Sequence, residues 1–278
     1  MVLLLGTPNE GIARAADLVA EQLSKEKDSR DVNEPWEDDK KDFEGWKNFE
    51  SVEEVECPAL ETFWQKYMWK KAPVKITKSV EHFPARERWT MKYLLQVAGQ
   101  RTVPVELGRD YTHPHWTQQL MPLCTFVKRH LLESSPVTGY LAQHSLFVQI
   151  PRLMDDLLIP DYCTSTPDIN IWFGPKGTVS PLHHDPKHNL LTQIRGHKRI
   201  LLFPPQEEGL YPFSKECLMS NTSQVDPENP DSEKFPEFSS AKGLSCVLGP
   251  GDVLYIPPKW WHHVRSLSAS LSVSFWWE

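Results

Sequence analysis

From Asp168 to Glu278 the sequence alternates short apolar runs with glycine and proline, and this pattern constrains the fold more than any other feature. Ile169–Phe173 ends at Gly-Pro, a Gly-Pro-Gly-Asp turn precedes Val253–Ile256, and residues 269–277 alternate apolar residues with serine. Short strands separated by such turns are typical of a β-sandwich or jelly roll. We therefore predict a mainly β fold, a jelly roll with flanking helices. The three serines of the last strand leave space on one face, which predicts that this face lines a cavity.

The region before Asp168 has mixed patterns. Helical periodicity predicts helices at 60–67, at 90–98 with Thr90 as N-cap, and at 120–132, whereas 73–77 and 102–107 are strand-like. A further helical pattern covers 8–25, and charged residues dominate 25–54. These patterns divide the chain into a helical and charged N-terminal extension, 1–54, and one compact domain, 55–278.

Charge and cysteine content limit the partners. The formal net charge of −7 argues against a direct nucleic-acid partner and favours a basic one. The five cysteines are never arranged as Cys-x-x-Cys, which suits reduced intracellular thiols. No apolar run reaches the length of a membrane span, and the first residues lack the features of a signal peptide. We expect a nuclear and/or cytoplasmic protein without a membrane partner.

A His-x-Asp pair lies in the predicted β region. His183 and Asp185 are two residues apart, so on a strand their side chains leave the same face and can reach one ion. A distant histidine, either His262 or His263, can complete a set of two imidazoles and one carboxylate, which is typical of non-haem Fe(II) oxygenases. The alternative is a pair of polar turn residues before Pro186.

A lysine follows in an otherwise apolar hairpin. A buried lysine is costly unless an anion accompanies it. Lys198 could therefore bind the distal carboxylate of 2-oxoglutarate, or it could form a salt bridge at the hairpin end, near Arg195 and Arg199. The residues alone leave both interpretations open.

Several motifs together resemble the Jumonji-C branch of the 2-oxoglutarate oxygenases, and within it the lysine-specific demethylase 8 subfamily of arginyl hydroxylases. The similarity covers residues from about 55 to 278 and is most specific over 170–277. The motifs are Ser-Pro-Leu-His-His-Asp-Pro at 180–186, Gly-His-Lys at 196–198, Phe-Pro-Pro-Gln at 203–206, Leu-Tyr-Pro at 210–212, Asn-Thr-Ser-Gln-Val-Asp at 221–226, Pro-Gly-Asp-Val-Leu-Tyr-Ile-Pro-Pro-Lys-Trp-Trp-His at 250–262, and Ser-Val-Ser-Phe-Trp-Trp at 272–277. Arg-Thr-Val-Pro-Val-Glu at 101–106 and Gly-Tyr-Leu-Ala-Gln-His at 139–144 fit the subfamily.

This resemblance implies a cupin (double-stranded β-helix) fold and a set of site residues. It implies catalytic iron ligands at His183, Asp185 and His262. It implies 2-oxoglutarate contacts at Tyr140, Ser180, Asn189, Lys198 and Trp276. It also implies that Glu106, Trp116 and Trp172 form a pocket for a substrate arginine. The alternative is that Glu106 is a surface charge and the two tryptophans are core anchors.

The expected function follows from the same resemblance. It is an oxygenase that uses Fe(II), 2-oxoglutarate and O₂ to hydroxylate a protein side chain, above all arginine in a basic protein or peptide. Three alternatives stay open. They are a histone methyl-lysine demethylase, a catalytically silent cupin-fold binding protein, and a hydrolase of arginine-methylated tails, for which no nucleophile–base pair is apparent.

Overall fold

The computed structural model describes residues 34–36 and 49–278, and these ranges contain fourteen strands. The predicted helix at 8–25 lies outside the described residues. The strands are β1 (Glu50–Ser51), β2 (Glu54–Glu56), β3 (Val74–Thr77), β4 (Thr102–Leu107), β5 (Thr117–Pro122), β6 (Gly139–His144), β7 (Asp168–Gly174), β8 (Val179–His184), β9 (His188–Arg195), β10 (Lys198–Phe203), β11 (Leu244–Leu248), β12 (Val253–Ile256), β13 (Trp261–Ser266) and β14 (Ser270–Trp277).

The strands form two sheets. One has the order β1-β11-β10-β13-β8, and the other has the order β2-β3-β12-β9-β14-β7-β6-β4-β5. Neighbouring strands are antiparallel except in the β1–β11 and β2–β3 pairs. An apolar cluster joins the sheets, because Leu191 and Leu254 of the larger sheet pack with Ile200 and Val264 of the smaller one. This arrangement confirms the predicted jelly roll.

The described residues form six short helices beside the sheets, and most of the buried side chains of these helices join a core cluster with the larger sheet. They are α1 (Leu60–Phe63), α2 (Ala85–Arg88), α3 (Met91–Ala98), α4 (Leu123–Val127), α5 (Leu146–Gln149) and α6 (Pro151–Met154). Wider π-helical turns at Trp64–Met68 and Lys128–Leu132 continue α1 and α4, and a 3₁₀ turn covers Pro236–Ser240. Thr90 caps α3 as predicted, because its hydroxyl oxygen accepts a hydrogen bond from the Tyr93 N–H at 3.1 Å.

The predicted helix at 120–132 is wrong at its start. Residues 120–122 belong to β5, which pairs with β4 in register from Thr117 to Pro122, and the helix begins only at Leu123. Local periodicity could not reveal this, because the partner strand supplies the hydrogen bonds that hold β5 extended. No described helix has the combination of length and apolar content that crossing a bilayer requires.

Residues before 55 also contribute to the sheets. β1 pairs with β11, and Val52 is buried between the sheets. Upstream, Trp36 packs against Phe173 of β7 with ring centroids 5.9 Å apart. The division of the chain after residue 54 stays a prediction, because residues 1–33 and 37–48 lie outside the described part.

A tight turn connects β9 to β10 and places Lys198 at the first position of β10. Gly196 in this turn has φ +69°, and a Cβ there would lie only 1.9 Å from the Ala269 carbonyl oxygen. Only glycine fits this combination of a left-handed backbone and close approach. The Gly-His-Lys motif is therefore a structural requirement for the position of the lysine.

The serines of β14 do not leave empty space as predicted. The Gln193 amide N–H donates to Ser270 at 3.0 Å, the Ser272 hydroxyl donates to Gln193 at 2.7 Å, and the Trp172 indole N–H donates to Ser274 at 2.9 Å. The same face of β14 nevertheless reaches a cavity at its end, through Trp276.

Candidate metal centre

Two paired strands bring the predicted donor set together. His183 on β8 lies directly opposite His262 on β13, with ring centroids 4.2 Å apart, and Asp185 follows β8. The Asp185 Oδ2 lies 3.6 Å from Nε2 of His262 and 4.0 Å from Nε2 of His183. One donor atom from each residue lies within 4.8 Å of the other two. This spacing suits three ligands of one ion.

Hydrogen bonds orient both imidazoles. Nδ1 of His183 lies 2.6 Å from the Pro181 carbonyl, and Nδ1 of His262 lies 3.0 Å from the Trp260 carbonyl. A carbonyl oxygen only accepts, so each Nδ1 carries the proton and each Nε2 presents a lone pair toward Asp185. Burial lowers the pKa of His262 to about 4, so this ring is neutral at pH 7. The donor set therefore fits a divalent metal ion.

His263 points away from this centre, because adjacent residues on a strand face opposite sides. It lies with Asp226 and Glu228 in a second group of possible donors. Arginines already engage both carboxylates: Arg109 pairs with Asp226, and Arg265 and Arg199 pair with Glu228. The structure thus distinguishes the two histidines that the sequence motif left equivalent.

An inner cavity adjoins the metal centre. Lys198 lies at its wall, 1% exposed, and its ammonium donates to the Tyr140 hydroxyl at 3.3 Å. No carboxylate of the described residues forms a salt bridge with Lys198, which removes the salt-bridge interpretation. Burial lowers the pKa of Lys198 to about 7. A buried cation without an anion is the expected arrangement for a site that receives an anionic ligand.

The other predicted cosubstrate residues surround the same cavity. Ser180, Asn189 and Trp276 line it together with Tyr140. The Asn189 Oδ1 and the Trp276 indole N–H are buried without a hydrogen-bond partner among the described residues. Burial raises the pKa of Tyr140, so its hydroxyl stays protonated at neutral pH. A cation, a hydroxyl and unused polar atoms around one cavity suit a small dicarboxylate such as 2-oxoglutarate.

An outer cavity of about 360 Å³ also adjoins the metal centre. The two cavities share the walls formed by Tyr140, Trp172, Ser180, His183 and Asp185. Glu106 lines the outer cavity, as does Trp172, whereas Trp116 does not. Trp116 instead donates its indole N–H to Glu106 Oε2 at 3.2 Å. The predicted substrate residues are therefore close together, with Trp116 acting on Glu106.

Glu106 is half-buried on β4, and this burial raises the pKa of its carboxyl group. The hydrogen bond from Trp116 lowers it, and the charge of Asp110 raises it again. No lysine or arginine of the described residues forms a salt bridge with Glu106. A cationic ligand would therefore pair with the Glu106 carboxyl group, which has no charged partner among the described residues.

Sequence reasoning missed several residues of the outer cavity. Tyr111 lies with its ring edge-on to His183, centroids 6.5 Å apart, and its hydroxyl lies 3.3 Å from the Thr222 hydroxyl. Asn221 donates to the His184 carbonyl at 3.0 Å, and Leu218 is fully exposed at the cavity wall. These residues lie in loops without periodicity, and the only signal was the 221–226 motif.

A jelly roll with two histidines and one carboxylate at a shared cavity defines a cupin-type metal-binding domain. The chain belongs to the cupin-like domain family, whose model matches residues 59–278, and to its Jumonji-C branch. It is 49% identical over 234 residues to Lysine-specific demethylase 8 of Xenopus tropicalis, covering 82% of this chain and 53% of that protein. It is 46% identical over 240 residues to Jumonji C domain-containing protein 5 of Drosophila melanogaster, covering 82% and 60%. The chain thus spans little more than half the length of these relatives. The predicted family is confirmed.

Proposed function

We propose that this chain is an Fe(II)- and 2-oxoglutarate-dependent oxygenase that hydroxylates an arginine side chain of a protein or peptide. One observation carries the proposal. Two imidazole Nε2 atoms and one carboxylate converge where two cavities meet the same residues; one cavity holds a buried lysine and the other a carboxylate, and neither has a charged partner among the described residues. The first cavity suits an anionic cosubstrate and the second a cationic substrate. The Jumonji-C relatives support the reaction class.

His183, Asp185 and His262 would hold the metal. Three protein ligands leave further coordination positions open, which distinguishes a catalytic site from a structural one. When bound, Fe(II) with 2-oxoglutarate supplies the activation of O₂ for C–H hydroxylation. The carbonyls of Pro181 and Trp260 keep each imidazole in the tautomer that can bind a metal.

Lys198, Tyr140, Ser180, Asn189 and Trp276 would hold the cosubstrate. The Lys198 ammonium would bind the distal carboxylate of 2-oxoglutarate, and the Tyr140 hydroxyl beside it would donate a second hydrogen bond. The unused Asn189 and Trp276 atoms offer further polar contacts. The buried walls exclude water, so each charged contact is stronger than at a surface.

Glu106 would bind the substrate in the outer cavity. A guanidinium presents a planar fork of N–H donors that matches a carboxylate, and indole faces stack on its plane. Trp172 offers such a face on the wall shared with the inner cavity. Trp116 would act indirectly, by orienting the Glu106 carboxylate.

A second candidate is methyl-lysine demethylation, which the names of the relatives support. It would use the same metal and cosubstrate residues, since hydroxylation of an N-methyl group leads to loss of formaldehyde. A fully methylated ammonium has no N–H to donate, so it would add no hydrogen bond to the half-buried Glu106. We therefore favour arginine. A catalytically silent binding protein would not need a buried lysine for cosubstrate binding, such as Lys198, next to an open metal site.

The test measures two reaction products, hydroxylated peptide and succinate. Purified protein is incubated with Fe(II), 2-oxoglutarate and a library of arginine-containing peptides, and mass spectrometry detects the gain of one oxygen while succinate is measured in parallel. Matched peptides with methyl-lysine in place of arginine report demethylation. Oxygen gain on arginine supports the proposal. Demethylation alone replaces the substrate assignment, and absence of succinate under all conditions overturns the oxygenase assignment.

We further propose a nuclear and/or cytoplasmic location and no direct nucleic-acid partner. The unpaired cysteines and the net charge of −7 support this proposal. Fluorescence imaging of the tagged full-length protein would test the location, and entry into a secretory compartment would contradict it.

A further inference from the structure

Asp185 differs from the other two predicted metal ligands in how it is held. The rings of His183 and His262 each donate from Nδ1 to a backbone carbonyl. The polar contacts of the Asp185 carboxylate within the described residues are with these two rings alone. Asp185 also lies beyond the end of β8 and is followed by Pro186, so strand pairing does not fix its backbone. Other contacts must therefore direct this side chain.

Two hydrogen bonds hold the peptide groups on either side of the Asp185 Cα. In the peptide group before it, the His184 carbonyl oxygen accepts a hydrogen bond from the Asn221 side-chain amide at 3.0 Å. In the peptide group after it, the Asp185 carbonyl oxygen accepts one from the Lys259 backbone N–H at 2.7 Å. Each peptide group is planar, so holding both planes restrains φ and ψ of Asp185. These two angles set the direction in which the side chain leaves the backbone.

Asn221 lies in a segment that is itself anchored to β8. Its backbone carbonyl oxygen accepts the His184 N–H at 2.9 Å, so Asn221 contacts both backbone groups of His184. Thr222 then forms a β-bridge with β8, and the Ser223 N–H donates to the β8 backbone at 2.7 Å. In the described part of the chain β8 is the last strand of its sheet. Residues 221–223 therefore cover the edge of the strand that precedes the carboxylate ligand.

We propose that Asn221 is a positioning residue for the metal centre, whose side-chain amide holds the peptide group between His184 and Asp185 and so directs the Asp185 carboxylate toward the metal. This role rests on the proposed function, in which Asp185 is a metal ligand. Lys259 contributes a backbone N–H, which every residue except proline can supply. The amide of Asn221 belongs to its side chain, so a substitution removes it.

Gln224 provides a matched control from the same loop. Its side-chain amide also donates to a backbone carbonyl, that of Pro212 at 3.2 Å, and Pro212 lines neither cavity at the metal centre. Asn221→Leu and Gln224→Met each replace an amide with an apolar side chain of similar size. A general loss of loop stability would appear in both variants, whereas an effect through Asp185 would appear only in the first. Asn221→Ala, which adds no bulk, replaces the leucine variant if that variant does not fold.

The experiment measures the Kd for Ni(II) by titration calorimetry without 2-oxoglutarate, because Ni(II) binds imidazole sites tightly and the readout needs no turnover. His262→Ala defines the binding that occurs elsewhere on the protein. We expect Asn221→Leu to raise the Kd about tenfold, at the lower end for groups that orient metal ligands, and Gln224→Met to leave it unchanged. In an Asp185→Ala background Asn221→Leu should have no effect, since the carboxylate that it directs is absent.

The outcomes separate the role of Asn221 from the proposed function. If His262→Ala does not weaken Ni(II) binding, the metal assignment fails, and the role of Asn221 fails with it. If wild-type protein binds Ni(II) at this site and Asn221→Leu has the same Kd as Gln224→Met, only the role of Asn221 is refuted. An equal rise in Kd with and without Asp185 would also refute it, because the effect would then not pass through the carboxylate.

Discussion

Replacement of Lys198 by methionine should have two opposite effects. In the metal-free and ligand-free protein the lysine is buried without a carboxylate partner from residues 34–36 or 49–278, and its pKa falls from 10.5 to about 7. At 1.36 kcal/mol for each pKa unit, this difference corresponds to a destabilisation of about 5 kcal/mol below pH 7, where both folded and unfolded chains are protonated. Replacing buried charges with apolar groups of similar size is typically neutral or stabilising by about 1–4 kcal/mol. We expect Lys198→Met to stabilise the ligand-free protein within that range.

The lowered pKa of Lys198 also determines how the stability of the protein changes with pH. Between pH 7 and 10 the unfolded chain binds the Lys198 proton more tightly than the folded chain, so wild-type stability should rise with pH over this interval. Lys198→Met should lack this rise. The affinity for 2-oxoglutarate should fall, because its distal carboxylate would be buried without a cation. Such a loss typically costs about 2–5 kcal/mol, so Kd should rise at least about 30-fold.

Urea unfolding of the metal-free protein at several pH values, together with titration of 2-oxoglutarate, measures both effects. Lys75→Met is the matched control, because Lys75 is also on a strand but lies 3.1 Å from carboxylate oxygens of both Glu54 and Asp252. Its replacement should destabilise the protein and leave 2-oxoglutarate affinity unchanged. The reasoning would be refuted if Lys198→Met destabilised the protein like Lys75→Met and bound 2-oxoglutarate normally.

Three further predictions concern other parts of the molecule. His262→Ala should abolish metal-dependent succinate production, whereas His263→Ala should retain it and lower only stability; equal loss of turnover would contradict the ligand assignment. Glu106→Gln should steeply reduce arginine-peptide hydroxylation while peptide-free 2-oxoglutarate turnover persists, and full hydroxylation would remove the arginine pocket. Asp156→Ala should lower the free energy of unfolding by about 3 kcal/mol in urea, because the buried carboxylate accepts hydrogen bonds from Arg88, Trp89 and Tyr93; a loss below about 1 kcal/mol would contradict this.

Local chemistry in the sequence predicted much of the fold. The strands from Asp168 onward follow from period-two alternation and from Gly/Pro turns, because each strand must bury one face and each turn needs special backbone angles. Helix α3 follows from its N-cap at Thr90. The spacing of His183 and Asp185 likewise placed both side chains on one face before any partner strand was known.

The error at 120–122 has a physical cause. Leu120 and Met121 are compatible with a helix or a strand, and the choice depends on β4, which is distant in sequence and supplies the paired backbone groups. The serines of β14 were misread for the same reason, since their partners come from β9 and β7.

The sequence by itself determined the jelly-roll class, the His-x-Asp pair and the presence of a lysine in an apolar hairpin. Residue spacing alone left His262 and His263 equivalent, and only the family resemblance favoured His262. The tertiary structure distinguishes them physically, because β13 pairs with β8 so that His262 lies opposite His183, whereas His263 lies with Asp226 and Glu228. Only the structure decided that Lys198 has no carboxylate partner in the described part of the chain. Both outcomes depend on which distant strands lie side by side, and residue spacing along the chain does not encode those distances.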